Sequence, residues 1–176
     1  MVQSGREFTE KLNGYEKKCF LRGGVLLIRR VLIAVDGSEN SGRALDFALD
    51  LAEKYDAAVT VLNVSESPTM GVVPQEPLPF SSDNLPVFAK ELQKLHEQIL
   101  SKAVAHAKAF KPNLEVFSSL RDGDPAVEIV AAAKEGDFDV VVVGHGGAGR
   151  VKEFFGLGGI SEKVVHLSSC AVVIVR

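Results

Sequence analysis

From residue 29 onward, hydrophobic positions follow two alternating rhythms. Short apolar runs rich in β-branched residues recur as RRVLIAV (29–35), AAVTVLNV (57–64), NLEVFSSL (113–120), FDVVVVG (138–144) and AVVIVR (171–176), and each reads as a strand. Between them apolar residues return every three or four positions, in SGRALDFALDLAEKY (41–55), residues 87–110, PAVEIVAAAKEG (125–136) and SEKVVHLS (161–168). That spacing places them on one side of a helix. Ser38 or Ser41 can cap the first helix, because a side-chain oxygen there accepts from an otherwise orphan N–H. Asp124 caps the third helix, with Pro125 in a first turn where its missing N–H costs nothing. Pro112 stops the second. Several strands are apolar throughout, as in strands covered on both faces. The alternation predicts an α/β fold: an open five-stranded parallel sheet with helices on both faces, Rossmann-like, since parallel strands need long crossovers.

Two stretches fall outside the rhythm. Residues 1–28 form a mixed-charge N-terminal extension, expected to be partly helical and partly disordered, ahead of a domain at 29–176. Residues 65–86 hold five prolines and little periodicity, so a long flexible loop is expected there, of the kind that serves as a lid or interaction segment. The full chain of 176 residues suits a single core. Its 20 Lys and Arg against 23 Asp and Glu give a net charge of −3, which supplies no field for a polyanion, so nucleic acid is not an expected partner. VLLI at 25–28 is far too short to cross a bilayer and the start is too polar for a signal peptide, so no membrane partner is expected. Cys19 and Cys170 have neither disulfide-framework nor zinc spacing. A reducing cytoplasm is the expected location, with Cys170 buried and inert.

In open parallel sheets ligands bind beyond the carboxyl ends of the strands, where the strand order reverses. VDGS after the first strand, NVSE after the second and GHGGAG after the fourth should converge there. GHGGAG fits the G-x-G-x-x-G dinucleotide fingerprint letter for letter. It fails the fingerprint's context, because RVKEFFGLGG interrupts the helix that should follow and the next strand ends in Val175 and Arg176 with no carboxylate for a ribose. A Walker pattern is also absent. What remains is a glycine-rich turn from Gly144 to Gly159, delivering the chain into a helix that begins near Ile160 or Ser161. Glycines let main-chain N–H groups approach phosphate oxygens, and a helix start adds partial positive charge. Arg150 and Lys152 can add cationic help, and His145 is a candidate phosphate contact. The alternative is that these glycines only shape a loop. His96 and His106 complete no ligand set and are read as surface residues. Neither Ser38 nor Ser161 stands in a nucleophile elbow.

The stretches VLIAVDGSENSGRALDFALDLAEKYDAAVTVLNV, GDPAVEIVAAAKEGDFDVVVVG and GLGGISEKVVHLSSCAVVIVR together resemble the universal stress protein family, over nearly everything from Arg30 to Arg176. The resemblance implies strand order 3-2-1-4-5 and an adenine nucleotide, ATP in the ATP-binding branch, with Mg²⁺ held by phosphate oxygens and Asp36. That branch carries G-2x-G-9x-G-(S/T) after the fourth strand. Here Gly144, Gly147 and Gly158 match with ten residues before the last glycine, and Gly159 stands where the hydroxyl belongs. The other register, Gly146, Gly149 and Gly159, has the expected spacing but places Ile160 at the hydroxyl. The first is preferred because Gly144 abuts the strand. In either register the missing hydroxyl removes a hydrogen bond to a charged acceptor, a loss of about 1–3 kcal/mol.

The resemblance also places Asp36 at the adenine or ribose, where the alternative is a turn residue that caps the next helix. It puts the main chain of Val64 against the base, with Ala34 and Val35 lining its pocket. Ser161 and Ile160 fall at the phosphates. The function implied is a nucleotide-binding stress-response sensor or switch, a binder more than an enzyme. An interaction module of the same fold that binds no nucleotide is the alternative. The apolar last strand, exposed at an edge, predicts a homodimer through that strand.

Overall fold

A computed structural model describes residues 21–22, 25–26, 28–66, 85–146 and 159–176. Expectations for Gly147, Gly149, Arg150, Lys152 and Gly158, for most of the proline-rich stretch and for much of the N-terminal extension lie outside the described residues. Within that extension β1 (Leu21–Arg22) and β2 (Val25–Leu26) pair antiparallel. The main elements follow as β3 (Arg30–Ala34), α1 (Glu39–Tyr55), β4 (Ala58–Ser65), α2 (Leu85–Phe110), β5 (Val116–Asp122), α3 (Pro125–Glu135), β6 (Val140–Gly144), α4 (Ile160–Leu167) and β7 (Ala171–Val175).

The five long strands form one parallel sheet in the order β5-β4-β3-β6-β7, which is 3-2-1-4-5 counted along that sheet. Alternate side chains of the central strands feed two cores. Val31, Ile33, Val59, Val61, Val140 and Val142 meet α1 and α2 on one face. Leu32, Leu62, Val141 and Val143 meet α3 and α4 on the other. Val31, Ile33, Val59 and Val61 are completely excluded from water. Burying each side chain of this size contributes about 1.5–3 kcal/mol, so the sheet centre anchors the fold. α2 starts two residues before the periodicity suggests, with Pro86 in its first turn, where proline is tolerated. Among the described residues no helix is long and apolar enough to cross a membrane.

Candidate functional site

The strand order reverses between β3 and β6, so the crevice at their carboxyl ends is flanked by the β3–α1 turn, the end of β4 and the exit of β6. Ala34 is the last residue of β3, and Val35 extends it by donating its N–H to Leu62 O at 2.9 Å. Asp36 is exposed beyond it, and its Oδ1 accepts the Ser38 N–H at 2.9 Å. The carboxylate therefore does hold the turn, while the helix cap is Ser38. Ser41 N donates to Ser38 Oγ at 3.2 Å, and the Ser41 hydroxyl donates back to Ser38 O at 2.9 Å. Gly37 takes φ +81°, a left-handed conformation that side chains rarely adopt, and Ile99 of α2 lies 3.2 Å from where its Cβ would stand.

Main-chain groups of β4 alternate in direction along the strand. Val59 donates to Glu115 O and Ser65 accepts from Gly123 N, both on the β5 side, whereas Leu62 accepts from Val35 on the β3 side. Val64 shares the parity of Leu62, so its N–H and C=O turn toward the β3 side, past the end of β3. Its side chain is half-buried against the α3 core, which is ordinary packing. The main-chain edge at Val64 thus faces the β3 side two positions beyond the Ala34–Leu62 pair, the level in register with Asp36.

On the opposite flank Gly144 ends β6, paired with Val175. A Cβ there would lie 2.8 Å from the carbonyl carbon of Asn40 and 2.9 Å from Ser41 N. The glycine is required because the start of α1 presses on the strand end. His145 is exposed and donates its N–H to Val175 O at 2.7 Å, so this amide belongs to the sheet ladder. Asn40 Nδ2 donates to His145 O, and Arg43 donates to Asn40 Oδ1. Gly146 then adopts φ +66°. Where the chain is described again, Gly159 is the N-cap of α4 with extended backbone and no side-chain cap bond; Ile160 is exposed and Ser161 buried. A glycine cap leaves room at the first-turn amides for an anion.

The structure therefore gathers Ala34, Val35, Asp36, Val64, Gly144 and His145 at one end of the sheet. It also adds three residues that periodicity does not reveal. Asn40 braces the exit of β6. Asn63 is buried, with Nδ2 donating to Val35 O at 2.6 Å, and its Oδ1 lies 2.7 Å from His96 Nδ1 of α2. His96, expected at the surface, is thus half-buried and bonded to the buried Asn63. His106 does stay exposed, paired with Asp46 and stacked on Phe110. Cys170 is half-buried where burial was expected, with Sγ 3.3 Å from Ser168 Oγ. Among the described residues no group of three or more His, Cys, Asp and Glu side chains could hold a metal ion. An open cleft of about 500 Å³ between α3 and α4, lined by Ala126, Val127 and Leu167 among others, is separate from these residues.

The profile of the universal stress protein family matches residues 27–176. The chain belongs to the universal stress protein family. It is 32% identical over 151 residues to the universal stress protein YxiE of Bacillus subtilis, an alignment spanning 85% of this chain and all of that one. The universal stress protein UspA from Lactobacillus plantarum superposes with a TM-score of 0.68 at 20% identity, over 85% of this chain and 98% of that one, a likeness of fold. A universal stress protein solved in complex with cAMP superposes with a TM-score of 0.61 at 26% identity, again over 85% of this chain and 98% of that one.

Proposed function

We propose that this universal stress protein binds an adenine nucleotide, ATP in the first instance, and acts as a stress-response sensor or switch. The observation that carries this reading is the main-chain edge of Val64, turned to the β3 side beyond the last β3–β4 pair, in register with Asp36. A C=O and an N–H side by side complement the amino donor and ring acceptor of adenine, and Ala34 and Val35 supply the wall. Asp36 accepts from the ribose or base. The phosphates then run toward Gly144, His145, Gly147, Gly149 and Arg150, and end at Gly158, Gly159, Ile160 and Ser161, where the glycine-capped start of α4 favours negative charge. Mg²⁺ needs few protein ligands, and phosphate oxygens with Asp36 suffice. The cAMP complex of a relative at 26% identity supports an adenine ligand. The reading assigns no catalytic residue, and its setting is the cytoplasm.

Calorimetry with ATP–Mg²⁺, together with mass spectrometry of nucleotide released from purified protein, tests this. Heat of binding and a released adenine nucleotide are the expected results. Absence of both favours an interaction module of the same fold, a reading that the ladder-bound His145 amide and the missing motif hydroxyl also support. We further propose a homodimer through β7, an edge strand with Ile174 39% exposed. Sedimentation of a monomer at micromolar concentration would rule that out.

A further inference from the structure

Helix α2 braces the β3–α1 turn at two points, three residues apart on one helix face. Ile99 fills the space beside Gly37, and His96 reaches Val35 through Asn63. The chemistry of that relay allows one direction only. The Val35 carbonyl can only accept, so it must face the Asn63 NH₂ group; the Asn63 oxygen then faces His96 and can only accept in turn. His96 Nδ1 therefore carries the proton, and donors run from imidazole to amide to carbonyl. Val35 is held from β4 on both sides, by this bond at its oxygen and by Leu62 at its nitrogen. Its neighbour in the chain is Asp36, and the neighbour of Asn63 is Val64. One buried amide thus ties the segment that leads into Asp36 to the one that leads into Val64.

We infer that His96 is a positioning residue for the adenine end of the nucleotide: through Asn63 it fixes the spacing between Asp36 and the main-chain edge of Val64. This rests on the nucleotide reading above. Sequence motifs do not signal it, because His96 lies on a helix outside the glycine and VDGS segments.

The test uses the full chain with His96→Ala and His96→Gln, titrated with adenosine and with ATP. His96→Ala should weaken both ligands by the same factor, about tenfold, because the loss is at the base end and one buried acceptor is orphaned. Gln restores an N–H donor to Asn63 and should recover most of the affinity. A purely structural histidine would lower the melting temperature and leave the affinity of the folded protein unchanged, which overturns the inference. A loss that grows with the number of phosphates also overturns it. Should His96→Ala fail to fold, ¹⁵N NMR of the wild-type imidazole decides: an Nδ1–H tautomer is required, and an Nε2–H tautomer refutes the relay. Wild-type protein that binds neither adenosine nor ATP overturns the nucleotide reading and this one together, whereas wild-type binding with His96→Ala unaffected overturns only this one.

Discussion

Helices α3 and α4 pack on the same face of the sheet and start at the same end of it, yet they begin differently. Asp124 closes α3, its Oδ1 accepting from Ala126 N at 2.9 Å and Val127 N at 3.1 Å, with Pro125 removing another donor. At α4 the cap is Gly159, with φ −66° and ψ 167° and no side-chain bond. A carboxylate at the cap satisfies first-turn amides and neutralises the helix field; a glycine leaves both for whatever enters. The comparison separates a helix start used for stability from one suited to an anion. It gives glycine at position 159 a meaning beyond an imperfect motif.

The most disruptive way to break the contrast is Gly144→Ala, which drives a methyl group into the Asn40 backbone and shifts the strand end from which the α4 segment departs. Stability should fall by about 1–3 kcal/mol, read from urea denaturation, as for overpacking elsewhere. Gly159→Asp gives α4 the kind of cap α3 has. ATP affinity should drop by about tenfold, or 1.4 kcal/mol, because the new carboxylate competes for the amides and repels phosphate. The free protein should become slightly more stable, and calorimetry with thermal melting would register both effects. Asp124→Ala should cost about 1 kcal/mol of stability through the lost cap while leaving ATP binding intact; a matching loss of affinity would show that α3 also serves the ligand.

The smallest effect concerns how α3 is tied to the sheet edge. The Arg121 guanidinium of β5 bonds Glu135 and reaches Glu128 at 3.4 Å. Hydrogen bonding to Arg121, then its charge, lowers the Glu135 carboxyl below its ordinary range. A carboxylate whose folded pKa is depressed adds stability above its unfolded pKa and loses that contribution as pH falls through the folded value. Arg121→Ala should therefore differ from wild type at neutral pH and converge with it in acid. Melting curves at several pH values would show the gap closing, by a small amount because Glu135 is exposed.

Local signals were strongest where one segment carries its own reason. Asp124 and Pro125 mark the start of α3, and the apolar runs of β3 and β6 mark strands buried on both faces. The register of β5 was less legible: the run suggests 113–120, but the strand occupies Val116–Asp122. It is an edge strand with several exposed residues, so polar Arg121 and Asp122 pair with β4 by main-chain bonds that hydrophobicity does not report. Ser38 and Ser41 were equivalent as caps until the turn at Asp36 fixed which hydroxyl faced the amide.

Periodicity, caps and the quoted family-like stretches were enough, by themselves, to determine the alternating architecture and its strand order. Only the tertiary structure decided why Gly144 must be glycine, that Asn40 meets His145 from 105 positions away, and that His96 reaches Asn63 across 33. Secondary structure repeats along the chain and leaves a period that can be read from it. Contacts between elements depend on how whole helices settle on the sheet, and a single polar side chain at such a meeting point leaves no period behind.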